Sequence, residues 1–479
     1  MRALAILPLV LGAFYTLGLL VFSAQVGTFI GDDLSTFYAL VTEPFGRYLT
    51  ALLGGQLVVL HRLVTYVLYR LAPMSFTPAV VVLVVFHLTA AFYLYRTLET
   101  MRRSLVNAFL VAWYLMTVFV GIQLTWWSSG LTRMGYIAFG AIAIYHYVRH
   151  LRLGENRDLV VTFVAGLLAF GFYAMAVLLP SYCFAVALVS GIDTRSQSRE
   201  KRLLRLCTLL ALLACGAVYS SVSWRLLPPA LRRTNADVAF QLTFLRACFR
   251  VFVGSLADRA LRLGASAPVW FVAVLSTFVV YSSVRSRRAL FAWALGLLLV
   301  ALNFLVVGTS SRTLIWPTET VVEYRHYFEL CFFIVLLGGA VFHSLADTPE
   351  GRALAARAPL PAFVLAVVVL VLHGYSSALT FRSLLRRTQP YSSIPSSRNY
   401  LTNLSSDLRA LAARGGDTPT FTEGFFPPEL DLLDFSFRHY SQLFQVLQSK
   451  ALFVADEDAE YTVDVNGHVV SARSQNVVP

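Results

Sequence analysis

The sequence predicts an all-α polytopic membrane protein of about eleven transmembrane helices, followed by a small α+β region. Three observations carry this. The 479 residues are 57% hydrophobic, with a mean hydropathy of +0.66. Only 14% are charged, against about 25% in soluble domains. The arginines gather between apolar runs, as positive-inside topology requires. A net charge of +13 in a soluble chain would suggest nucleic acid. Here no basic stripe occurs outside loops and helix ends, so no nucleic-acid partner is expected. Five cysteines (Cys183, Cys207, Cys215, Cys248 and Cys331) lie in or near predicted helices without a CxxC pair, which supports neither a zinc site nor a disulfide framework.

The first apolar run, Leu4 to Phe29, is longer than a signal-peptide core and has no clear small-residue cleavage site. It reads as a retained span with a cytoplasmic start at Met1-Arg2. Glu43 to Leu71 mixes Arg47, His61, Arg62 and Arg70 with Leu, Val and Tyr. It reads as an amphipathic segment in the interface with its Arg heads in water, the rival being a second span. Further spans are expected at Thr77–Tyr95, Val106–Leu124 and Met134–Val148, with two more in Leu159–Gly191 divided near Pro180. The loop Thr194–Arg205, with four Arg and one Lys, is the strongest cytoplasmic signal. A span at Leu206–Ser221 precedes an outer segment, 224–268, whose middle (Val238–Leu256) has helical apolar spacing. Spans at Val269–Val284, Leu290–Val307, Tyr327–Leu345 and Pro361–Leu379 complete the set. Residues 1–379 thus form the transmembrane domain, with a first outer loop at 30–76. Residues 380–479 form the C-terminal region, with a helix at Leu404–Ala412, a strand at Leu452–Val454 and a hairpin turning at Asn466-Gly467. An odd span count from a cytoplasmic start makes that region extracytoplasmic, in a multi-pass protein of the inner or plasma membrane.

Candidate chemistry concentrates at Asp32-Asp33, directly after the first span. Asp is favoured at turns and N-caps, so a cap in a solvated loop is the plain reading. A carboxylate beside low-dielectric lipid is also a stronger base than one in water. A second group, Glu319, Glu323, Arg325 and His326, precedes the span at Tyr327. It reads either as an interfacial anchor or as a phosphate clamp, because the planar Arg fork matches phosphate oxygens. Arg133, Arg225 and Arg312 fall on the same predicted face. Trp126-Trp127 reads first as an interfacial belt and second as a platform for a sugar ring. Glu329 lies within a span, where it pairs with an Arg or lines a cavity.

First span, acidic first outer loop, amphipathic segment, many further spans, Tyr324-Arg325-His326-Tyr327 ahead of a late span and an outer C-terminal region together resemble the GT-C superfamily. These are integral membrane glycosyltransferases that use polyprenyl-phosphate sugars. The pattern is most similar to the bacterial arabinosyl-, mannosyl- and aminoarabinosyltransferases. The loop departs from many relatives in carrying Leu34-Ser35-Thr36 after the acid rather than a His or Trp. Trp126-Trp127 is followed by Ser128, so there is no WWD motif of the kind seen in protein N-glycosylation. The resemblance implies a polyprenyl-phosphate-linked sugar donor and a glycan or lipid acceptor. It implies Asp32 or Asp33 as the base of a single inverting displacement, and Arg325, with Arg312 and His326, on the donor phosphate. Glu323, Trp126, Trp127 and Arg133 become candidate substrate contacts. It implies no particular cofactor; a divalent metal is compatible with it but not implied, because two adjacent carboxylates are not a sufficient ligand set. The rival classes are a secondary transporter or lipid/glycan flippase, which would use charges near the midplane, and a non-catalytic assembly subunit.

Overall fold

The structure is a computed structural model that describes residues 2–194, 197–229, 232, 234–257, 267–309, 327–349, 359–387, 391–414, 418–427, 439–455 and 458–472. Helix α1 (Arg2–Val26) leads into α2 (Asp32–Thr42), α3 (Phe45–Thr50), a hairpin of β1 (Leu52–Leu53) and β2 (Gln56–Leu57), and α4 (Val59–Leu71). Then come α5 (Phe76–Met101), α6 (Leu105–Leu115), α7 (Val118–Thr125), α8 (Trp127–Leu153), α9 (Asn156–Phe170), a 3-10 turn (Ala174–Leu178) and α10 (Leu179–Val189). The bundle continues with α11 (Arg199–Leu226), α12 (Val238–Ala257), α13 (Ala267–Arg285), α14 (Arg287–Gly308), α15 (Phe328–Ala346) and α16 (Pro359–Arg387). Last are α17 (Ile394–Ala413), β3 (Thr420–Thr422), α18 (Tyr440–Val446), β4 (Leu452–Val454), β5 (Tyr461–Val463) and β6 (Val469–Ser471).

Among the described residues, six helices are long and apolar enough to cross a membrane: α1, α5, α11, α14, α15 and α16. The pair α6–α7, bent by 43°, makes a seventh if it is one span. The chain is an all-α polytopic membrane protein. Exposed Phe14, Leu17 and Val21 on α1, and Val364, Leu365 and Val368 on α16, present apolar faces that water would not tolerate but lipid does.

Polar residues lie at the two ends of the bundle. At one end Arg102, just past α5, donates to His343 O of α15 (3.0 Å) and pairs with Asp347. Close by, Arg149 pairs with Glu155 (2.9 Å), and Gly154, at φ 72°, closes α8 as a left-handed cap. The opposite end gathers the exit of α1, helices α2 to α4, the α7–α8 junction and the C-terminal region. There Arg398 on α17 donates from Nη1 to Ala24 O and Gly27 O, both at 2.8 Å. These are carbonyls at the negative end of α1, where a cation is favoured. Tyr69 of α4 donates to Val446 O at 2.7 Å, a second tie to the C-terminal region. That region carries a four-stranded sheet in the order β4-β3-β5-β6, with β3 parallel to both neighbours and β5–β6 antiparallel. The hairpin turns at Gly467 (φ 83°), as Asn-Gly predicts.

Three expectations need correction. The segment 159–191 does not divide at Pro180, which lies in the first turn of α10; the break is at Gly171, where the chain passes into the 3-10 turn. Pro lacks the N–H that a first turn cannot use, so it starts that helix rather than ending the previous one. The helix expected at Met134 begins already at Trp127. Arg47 and Arg70 are exposed as expected, but the polar residues in the middle of α4 are not. His61, Arg62 and Thr65 are buried, whereas Leu63, Val67 and Leu71 are exposed, Leu71 at 80%. Arg62 donates from Nη2 to Leu52 O (2.9 Å) and lies over the Tyr48 ring at 5.1 Å, so its guanidinium is turned into the protein.

Candidate functional site

The acidic pair opens α2. Gly31 adopts φ 48°, ψ −112°, a conformation that favours glycine, and it turns the chain sharply out of α1. Both carboxylates therefore fall in a first helical turn, where negative charge is favoured. Beyond them Phe37 packs on Phe29 (4.8 Å) and Tyr69 (5.1 Å), and Phe29 on Phe76 (5.1 Å). This aromatic cluster fixes α2 against α4 and the start of α5.

The two aspartates have different surroundings. Asp33 is fully buried. Its Oδ2 accepts from Ile30 N (3.1 Å), and its Oδ1 accepts from Ser128 N (2.7 Å) and from the Ser128 hydroxyl. Helix α8 has no local capping side chain, because Trp126 occupies the N-cap position in extended conformation. Asp33 supplies the missing cap from 95 residues away. Burial pushes its carboxyl up to about 7, against the pull of those three hydrogen bonds. Asp32 is half-buried, and its charge acts on both Asp33 and Arg62. It is the more accessible carboxylate.

The α7–α8 junction explains the position of Ser128. Trp126 alone separates the two helices, and its partner in a parallel bridge is Thr28. The helices approach so closely at Gly130 that a Cβ there would lie 2.1 Å from Gln123 O. Trp126 and Trp127 are both buried, and the Trp127 indole donates to Thr65 Oγ1 at 3.0 Å. The belt expected of this pair is thus corrected, and neither indole offers a face to a sugar. Both rings pack into the protein because the α7–α8 turn is roofed by α2 and α4.

Arg133, expected on an outer face, is also buried. Its Nε lies 3.5 Å from Glu329 Oε2 on α15, and its Nη atoms reach Ser129 Oγ (3.2 Å) and Tyr173 OH (3.4 Å). Ser129 in turn donates to Gln123 Oε1 (3.0 Å). Two polar groups thus meet at adjacent residues of α8: Ser128 holds Asp33, and Ser129 holds Arg133, which faces Glu329. The loop leaving α1 and the first turn of α15 meet at the same end of the bundle through α8. Arg225, at the end of α11, is exposed. Arg312, Glu319, Glu323, Arg325 and His326 lie outside the described residues.

His61 was not singled out as a site residue. It is fully buried against the backbone of Ser128, and burial, with Arg62 beside it, pushes its imidazole down to about 3. Its signal in the sequence was a His-Arg pair inside an otherwise apolar helix. Among the described residues no cluster of His, Cys, Asp and Glu could hold a metal ion. No family model matches the chain, and no curated protein is similar to it in sequence.

Proposed function

We propose that this chain is an integral membrane glycosyltransferase of GT-C type. It would move a sugar from a polyprenyl-phosphate donor to a cell-envelope glycan or lipid acceptor. The observation that carries the reading is the division of labour in the acidic pair. Asp33 is locked under α8 as a cap, and Asp32, its neighbour on a rigid first turn, is left half-exposed at the bundle mouth. A positioned base needs both access and a fixed frame. In this reading Asp32 takes the acceptor hydroxyl proton while the oxygen attacks the anomeric carbon. The bond to the lipid phosphate breaks on the opposite face, and Arg325, Arg312 and His326 receive the departing charge. About eleven spans, with the acidic loop and the C-terminal region on the outer side, belong to the same reading.

Asp32→Asn, expressed normally, is expected to lower transfer of labelled sugar from polyprenyl-phosphate donors in membranes by about 10²–10⁴-fold. Full activity in that variant eliminates the base. One observation favours a second reading, a transporter or flippase: the buried Arg133–Glu329 pair lies between α8 and α15, where charge in a bundle commonly marks a pathway. Transport that fails in Glu329→Gln yet persists in Asp32→Asn would select it.

A further inference from the structure

A cleft of about 1210 Å³ opens between the C-terminal region and the bundle mouth, floored by the turns at Gly27–Phe29 and Pro73–Ser75. It does not contain the acidic pair, and the glycosyl-transfer reading does not use it. Among the described residues four cations line it, Arg398, Arg409, Arg414 and Lys450, against one carboxylate, Glu460. Among the described residues none of the four has an ion-pair partner. Arg398 spends only Nη1 on the α1 carbonyls, and Arg409 only Nε, on Ser405 O (3.1 Å). Among the described residues the remaining guanidinium donors of Arg398 and Arg409 have no acceptor.

The backbone gives an independent sign. Met74 and Gln448 are the two non-glycine residues with positive φ among the described residues, each at 55°. Both line this cleft. Met74 follows Pro73 in a turn closed by Ser75 N to Ala72 O (3.2 Å), at the position where a type II turn takes glycine. Gln448 is the left-handed residue after α18, in a cap closed by Ser449 N to Phe444 O (3.0 Å), another glycine position. Side chains kept where glycine is easier cluster at ligand-binding places.

We propose that this cleft binds a phosphate-bearing anion, supplied either as a membrane-lipid headgroup or as a soluble phosphorylated ligand. Three Arg forks and an ammonium exceed what the two oxygens of one carboxylate can engage, whereas they suit a multiply charged phosphate.

The full chain in neutral detergent is titrated with inorganic pyrophosphate. In parallel it is placed in nanodiscs of phosphatidylcholine with or without phosphatidylglycerol. Thermal shift and retained lipid are the readouts. At least one anionic probe is expected to bind, and Arg409→Gln/Arg414→Gln/Lys450→Gln to weaken it about tenfold. These residues are exposed, so the fold should persist; Arg398, which holds α1, is left intact. Met74→Gly/Gln448→Gly should weaken binding without lowering the ligand-free melting temperature. A response to pyrophosphate alone assigns a soluble ligand, and a response to phosphatidylglycerol alone assigns a lipid. Binding by neither probe, or equal binding by the triple variant, overturns the proposal. Sugar transfer by wild-type protein is scored separately, so this result stands apart from the glycosyltransferase reading.

Discussion

At the scale of single residues, Asp33 and His61 flank Ser128 and respond to pH in opposite senses. Asp33 rises from 3.8 to about 7 in the folded chain, so between those values the native state holds more protons than the unfolded one. Stability contributed by this group is lost as pH rises through that window. His61 falls from 6.5 to about 3, so the native state holds fewer protons there and stability is lost as pH falls. The two slopes oppose each other over nearly the same range. Asp33→Asn should therefore expose an acid-destabilised protein, and His61→Gln one that weakens as pH rises from about 4 to 7. Thermal melting of both variants in detergent across that range checks this, and parallel profiles would contradict it. The pair Asp32-Asp33 was legible in the sequence, but the different role of each member was not. Their spacing from α1 is identical to within one residue; only contact with Ser128, far along the chain, separates them.

At the scale of elements, the α7–α8 junction is the most constrained feature at the mouth. A methyl group at Gly130 meets backbone, Gln123 O, rather than a side chain that can swing aside. Gly130→Ala is expected to cost about 1–3 kcal/mol or more and to lower the yield of folded protein in fluorescence-detected size exclusion; a wild-type melting temperature would show that the two helices can separate freely. The Arg133–Glu329 pair joins α8 to α15. Arg133→Met alone should destabilise by about 3–5 kcal/mol, because Glu329 is left buried without its cation. Adding Glu329→Gln should recover a large part, as melting of the single and double variants will report. The sequence marked Glu329 as an intramembrane acid that pairs with an Arg or lines a cavity. It placed Arg133 at the surface because hydropathy cannot tell a water-facing polar helix face from one turned into the protein. The same ambiguity hid the burial of His61 and Arg62 on α4, where Leu63, Val67 and Leu71 are outside.

At the scale of the whole molecule, the long apolar helices and the strand hairpin near Asn466 follow from local pattern, and the structure contains them. Length and apolarity are properties of a segment alone, since lipid acts on each helix without reference to its neighbours. The coming together of the α1 exit, the α7–α8 junction and α15 is not a local property. Nor is the cationic cleft, whose walls come from turns and helices hundreds of residues apart. Apolar periodicity specified which segments enter the membrane. Which faces meet there was decided by packing between helices, where small residues such as Gly130 and a few buried polar contacts select one arrangement among many of similar hydropathy.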